Sequence, residues 1–145
     1  MAAAARLSLR GDPAEMVRLT AFAEEFAARC RLADDERARL LVILDELFTN
    51  TVTHGYVGAA AAGNVEVVLG LQGDWLSIDF IDDGCPFDPL QAAPPDLDLP
   101  AEERPVGGLG IAIVRGLVDD AVYRRQGDRN HLTLRRKFPL PPTTS

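Results

Sequence analysis

The chain is poor in cysteine and histidine, with only Cys30, Cys85, His54 and His131. No CxxC pair or Cys/His cluster is present, which excludes a zinc site of ordinary spacing and leaves two free thiols, as in a reducing compartment. Basic residues are also scarce: 15 Lys and Arg stand against 22 Asp and Glu, a net charge of −7. Without a basic stripe to displace counterions, direct nucleic-acid binding is not expected. No run of about 18 apolar residues occurs, and Met1 to Ala5 is too short for a signal-peptide core. The expectation is a cytoplasmic chain that does not enter the membrane. A GxxxxGK[ST] motif is missing as well, so any nucleotide site is not of the P-loop kind.

What is present fits one domain: 145 residues, 47% of them hydrophobic, long enough for a real core and short for two. The most informative stretch ends an apolar-periodic run beginning near Ala38. Leu40, Leu41, Ile43, Leu44, Leu47, Phe48 and Val52 recur at the spacing a helix needs to bury one side. Glu46, Asn50 and Thr53/His54 then fall one turn apart on a common edge. An asparagine offers a neutral oxygen to a hard cation such as magnesium, and a glutamate can take a proton from a hydroxyl. Alone, such a pair is more often a solvated helix face.

Along the chain, Ala5 to Arg10 alternates as a first strand closed by Gly11. Asp12-Pro13 reads as a helix start, and a first helix runs to about Arg31 with Met16, Val17, Leu19, Phe22, Ala23, Phe26 and Ala27 on its buried side. Asp34 reads as the cap of a second helix that stops at Gly55. Tyr56 to Gly63 is a small-residue loop. Val65, Val67, Leu69 and Leu71 alternate in a strand, Gly73-Asp74 turns, and Trp75 to Ile81 returns as a hairpin. Leu90 to Arg104, with Pro94, Pro95 and Pro100, reads as a mobile loop. A glycine-led helix follows over Gly108 to Leu117, then a closing hairpin of Tyr123 to Gln126 and Leu132 to Phe138 around Gly127-Asp128. Asn130 reads as the structural start of that last strand. Residues from Pro139 onward read as a disordered tail. The order β-α-α-β-β-α-β-β lacks the strand–helix alternation of a Rossmann domain and suits a sheet covered on one face.

Two further segments give the helix company: Ile81-Asp82-Asp83-Gly84-Cys85-Pro86-Phe87-Asp88-Pro89 and Pro105-Val106-Gly107-Gly108-Leu109-Gly110-Ile111. In this order and at these separations the three resemble the N, G1 and G2 boxes of the GHKL (Bergerat-fold) ATPase superfamily, and within it the small bacterial anti-sigma factor serine/threonine kinases. The likeness covers about Leu7 to Phe138, so residues 1–138 are expected to form one ATP-binding kinase domain. It implies an α+β fold: a two-layer α/β sandwich whose mixed, mostly antiparallel sheet carries helices on one face.

The same resemblance assigns roles. Asn50 would hold magnesium bridging the phosphates of ATP. Glu46 would orient or deprotonate the attacking hydroxyl, and Thr49 would lie near the phosphates. Asp82 would accept a hydrogen bond from the exocyclic amine of adenine, and Gly84 would let the backbone pass the base without a Cβ clash. Gly107, Gly108, Leu109 and Gly110 would offer bare peptide groups and a helix N-terminus to phosphate. The loop from Leu90 to Val106 would be the ATP lid, from which Arg104 could pair with phosphate or stay solvated. His54 suits the end of a helix electrostatically without catalytic duty. Pro86 replaces the second glycine of the superfamily's DxGxG, a variant associated with the anti-sigma branch. The implied function is phosphorylation of a STAS-type anti-sigma factor antagonist in a partner switch that also engages a sigma factor or related regulator, with a homodimer possible. The alternative is a non-catalytic ATP-binding module that sequesters its partner.

Overall fold

A computed structural model describes residues 2–55, 63–91 and 108–138. The loop after Gly55, most of the expected lid with Arg104 and Gly107, and the tail after Phe138 lie outside the described residues. The elements follow the expected order. Strand β1 (Ala2–Arg10) leads through a short 3-10 turn (Pro13–Glu15) into helix α1 (Met16–Arg29), followed by α2 (Asp34–Asn50) with a wide π-type turn (Thr51–Gly55) at its end. Then come β2 (Asn64–Gln72), β3 (Trp75–Asp82), a turn over Pro89–Gln91, α3 (Gly108–Leu117), β4 (Asp120–Gln126) and β5 (Arg129–Lys137).

The strands form one sheet in the order β1-β2-β3-β5-β4, antiparallel at all four pairings. Gly73 and Gly127 adopt positive φ in the two hairpin turns, where a side chain would be strained. Period-2 alternation decides which face is covered. Val65, Val67, Leu69, Leu71, Leu76, Ile78, Phe80, Leu132 and Leu134 point to one side and are buried. The other side carries polar pairs: Arg6 with Glu66, and His131 and Thr133 both bonded to Asp79.

The helices lie on the apolar side. Helix α1 buries Leu19, Ala23, Phe26 and Ala27, at i, i+4, i+7 and i+8. Val17 falls roughly 200° from Leu19 at about 100° per residue, so it is 76% exposed and not on the buried side as expected. The helix ends with Arg31 in the left-handed region, while Leu32 donates to the Ala27 carbonyl at 2.9 Å. At the start of α2 the cap position belongs to Ala33, which makes no side-chain bond. Asp34 sits inside the first turn with Asp35 and Glu36, where carboxylates favour the positive end of the helix dipole without capping it. The expected loop also begins later than Leu90. The Leu90 amide donates to Asp88 at 2.9 Å, and Arg115 of α3 donates to the Leu90 carbonyl at 3.0 Å.

On α2, the buried residues Glu36, Leu40, Ile43, Leu47 and Asn50 recur every three to four positions. They form one stripe that is apolar in the middle and polar at both ends. On β5, Asn130, Leu132, Leu134 and Arg136 share the covered side in the same way. Each end of the core is therefore closed by polar groups from a helix and a strand. The two ends are closed differently.

Candidate functional site

At one end, Asp82 finishes β3 and is paired in register with Asn130 of β5. Asp82 continues the inward series Leu76, Ile78, Phe80, and Asn130 continues Leu134, Leu132, so both are buried by the phase that buries those apolar residues. Across from them, Asn50 lies one turn beyond Leu47. Asn50, Asp82, Asn130, Tyr123, Phe80 and Phe87 line a cavity between the end of α2 and the edge of the sheet.

The Asp82 carboxylate is held asymmetrically. Oδ1 accepts from the Asn130 amide and from the Gly84 N–H, both at 2.9 Å. No hydrogen bond among the described residues reaches Oδ2. Burial pushes the Asp82 carboxyl above the ordinary aspartate value, opposed by those two donors. Asp82 thus lines the cavity with one oxygen saturated and the other without a hydrogen bond among the described residues. That arrangement suits a ligand donor such as an exocyclic amine and opposes a carbonyl.

Asn130 fills its whole hydrogen-bonding capacity. Its amide nitrogen donates to Asp82 and, at 2.8 Å, to the Cys85 carbonyl. Its oxygen accepts from the Tyr123 hydroxyl, from Arg125 at 3.2 Å and from the Phe87 amide at 3.3 Å. Arg125 also donates to the Gly84 carbonyl at 2.8 Å. An apolar side chain here would contribute roughly 2 kcal/mol of burial, so the amide's worth lies in what it bonds. Asn130 was expected to be structural only. Half of this could have been read: two residues before Leu132 it must share that residue's face, whereas its place opposite Asp82 comes from the pairing of β5 with β3, which is not a sequence neighbour.

Glu46, one turn before Asn50, reaches a different neighbour. A Cβ built on Gly110 would overlap Glu46 Oε2 and lie 2.9 Å from its Cδ. Gly110, in the first turn of α3, is therefore the seat of the Glu46 carboxylate. Its absent side chain leaves room for that acid. Gly108 and Leu109 form the start of that helix. Thr49 is exposed, with its hydroxyl 3.5 Å from Asp45, and does not line the cavity. Gly84 serves as a donor to Asp82 and an acceptor for Arg125, with no need of positive φ. The structure so brings Asn50 and Asp82 to one cavity and Glu46 to the start of α3, while Gly107 lies outside the described residues.

Magnesium can be tested against the donor set. Among the described residues no group of three or more His, Cys, Asp or Glu could hold a metal by itself. The Asn50 amide makes no hydrogen bond among them, and it is a hard oxygen at the cavity wall. One neutral oxygen suits a magnesium ion that is ligated mainly by phosphates and water.

A covered antiparallel sheet with a polar-edged cavity between α2 and the end of β3 is an α+β architecture without the strand–helix alternation of the P-loop class. Residues 9–136 match the histidine kinase-like ATPase domain, and the chain belongs to that family. It is 30% identical over 111 residues to the serine/threonine-protein kinase BtrW of Bordetella bronchiseptica, covering 77% of this chain and 78% of that one. It is 33% identical over 98 residues to the serine-protein kinase RsbW of Bacillus cereus, covering 65% of this chain and 60% of that one. Among solved structures, one of the RsbU and RsbW domains of Rv1364c from Mycobacterium tuberculosis superposes with a TM-score of 0.66 at 18% identity. The match covers 93% of this chain and 32% of that one, and supports the fold. No helix among the described residues is long and apolar enough to cross a membrane.

Proposed function

We propose that this chain is a protein serine/threonine kinase that transfers the γ-phosphoryl of magnesium-bound ATP to a hydroxyl on a small partner protein. The observation that carries the reading is the disposition of helix α2. Asn50 closes its buried stripe at the Asp82 cavity, and Glu46 stands one turn earlier against Gly110 of α3. The base would lie against Asp82, with its amine on Oδ2. Magnesium, held through Asn50, would neutralise phosphate charge.

Glu46 takes the proton of the acceptor serine or threonine as its oxygen bonds to the γ-phosphorus. The bond from that phosphorus to the β–γ bridging oxygen breaks, and ADP leaves with the electron pair. Little further covalent work falls to the protein, so positioning and charge neutralisation dominate. By resemblance the acceptor is a STAS-type antagonist, and the kinase switches between it and a sigma factor or similar regulator. The compartment would be the cytoplasm and the assembly a homodimer.

Radiolabel transfer from ATP to the cognate antagonist tests this, with Glu46→Gln as control. The variant is expected to bind ATP like the wild type and to lose transfer by about a hundredfold or more. ATP-induced thermal stabilisation with no transfer to any antagonist encoded in the same genome would instead support the sequestering module.

A further inference from the structure

We infer that Asn130 is the positioning residue that makes the site selective for an amino-purine over a keto-purine, by fixing which oxygen of Asp82 faces the base. The inference rests on the nucleotide reading above and goes beyond it. A carboxylate against a base edge is selective only while it stays ionised and cannot turn. A lone buried aspartate meets neither condition, because burial favours its protonated form, which can donate to a keto oxygen as readily as the ionised form accepts from an amine.

Asn130 acts on both conditions from one side chain, opposing the upward push of burial and holding the carboxylate in place. Its two N–H groups must face acceptors, and they do so at the Asp82 carboxylate and the Cys85 carbonyl. Its oxygen must face donors, and it does so at Tyr123, Arg125 and the Phe87 amide. Turning the amide over would set its nitrogen against those donors and its oxygen against two acceptors, so its orientation is locked. The residue is 5% exposed, so a lost partner is costly to replace. With Gly84 it commits Oδ1 of Asp82 to two donors, and Oδ2 is left as a pure acceptor.

The network also spans the site. It joins the ends of β3 and β5 to Tyr123 and Arg125 of β4, and to the Gly84–Phe87 segment beside the cavity. The strand pair alone would hold the backbone in place; the amide adds control over the proton on Asp82.

The test compares ATP with ITP, which carries a keto oxygen in place of the amine, by calorimetry on the full chain. The wild type is expected to favour ATP by at least about tenfold, the size of one well-made hydrogen bond lost. Asn130→Asp, nearly isosteric, sets a second carboxyl against Asp82, so the pair must share a proton and can donate to the keto group. Its ATP-to-ITP ratio is expected to fall to within about threefold, with ITP bound more tightly than by the wild type. Asn130→Ser, which removes the amide without adding charge, is expected to narrow the ratio less, mainly by weakening ATP. A residue with only a structural role would weaken both nucleotides together and leave the ratio unchanged. An unchanged ratio in whichever variant folds, with ATP bound, overturns the role of Asn130 alone. Failure of the wild type to bind either nucleotide removes the nucleotide reading and this inference with it.

Discussion

The two ends of the core bury a carboxylate to the same extent, since Glu36 and Asp82 are each 7% exposed, but they treat it in opposite ways. Glu36 receives a two-pronged bond from Arg136, with both contacts at 2.8 Å, and a third from Arg39 at 3.1 Å. Arg136 adds a bond to the Leu117 carbonyl at the end of α3, so this end ties α2, β5 and α3 together. The Arg136 hydrogen bonds hold the Glu36 carboxyl below the ordinary glutamate range against the effect of burial. Among the described residues Asp82 has no guanidinium on its carboxylate and keeps one oxygen without a hydrogen bond, and burial pushes it above its ordinary value. A completed pair holds structure together. An incomplete one, beside a cavity, keeps bonding capacity for something that arrives later.

The comparison is tested hardest by opening the completed end. Arg136→Met leaves Glu36 buried with only Arg39, and is expected to cost about 3 kcal/mol of stability. ATP affinity of the protein that remains folded should stay within about twofold, because the pair stands at the far end of the α2 stripe. Denaturant unfolding and calorimetry measure the two effects. Adding Glu36→Gln should recover much of the loss, since the uncompensated charge is then gone. A large loss of ATP affinity would show that the ends are not independent.

At the open end the expected effect is smaller and of the other kind. Asp82→Asn keeps an oxygen for Asn130 and Gly84 and removes the charge, so thermal stability should hold. ATP should bind about ten- to a hundredfold more weakly. Acid should separate the ends in the same way. The lowered Glu36 carboxyl gives stability that is fully present above the unfolded glutamate value and is lost only as pH falls through the lowered folded one. Asp82 is raised in the fold, so it takes its proton first, and that uptake favours the folded state while weakening the grip on an amine. In steps from about pH 7 to about pH 4.5, ATP affinity should fall before the melting temperature does. A joint decline would contradict the contrast.

Much of this was legible in the chain. The alternation of Val65 to Leu71, the turn at Gly73-Asp74 and the apolar periodicity of α2 each carry a local rule that the fold obeys. Asn50 was legible from its place one turn beyond Glu46 and Asp82 from the likeness to the second box; the fold adds that both continue the buried phase of α2 and β3. The Glu36–Arg136 pair was not, because its partners lie 100 residues apart and each looks like a surface charge alone. Val17 was misplaced because one apolar residue more or less does not define a helix phase. Ala33, extended in backbone, holds the cap position expected of Asp34, a one-residue difference at a helix boundary that local pattern does not fix. Asn130 was read as a strand start because strand position is a local signal, whereas its partners come from three separate segments.

The finest separation of structure from site concerns Gly110, which the sequence suggested for phosphate approach and the fold sets against Glu46. Gly110→Ala would gain up to about 1 kcal/mol of helix propensity, less in a first turn. It would force the Glu46 carboxylate to swing, at about 0.5–1.5 kcal/mol for an unfavourable rotamer. The carboxylate is the free tip of a flexible side chain, so the two terms nearly cancel and the melting temperature should move little. On the role proposed for Glu46, transfer should nevertheless drop by about tenfold or more, because a general base displaced by an ångström loses much of its advantage. If Gly110 served only to let phosphate near the backbone, ATP affinity would fall with the rate. If it seats Glu46, affinity holds and the rate alone falls. In a Glu46→Asp background, where the closest overlap with the new Cβ is removed, the same substitution should cost less than in the wild type. Full additivity of the two substitutions in single-turnover rates would place Gly110 and Glu46 in separate roles.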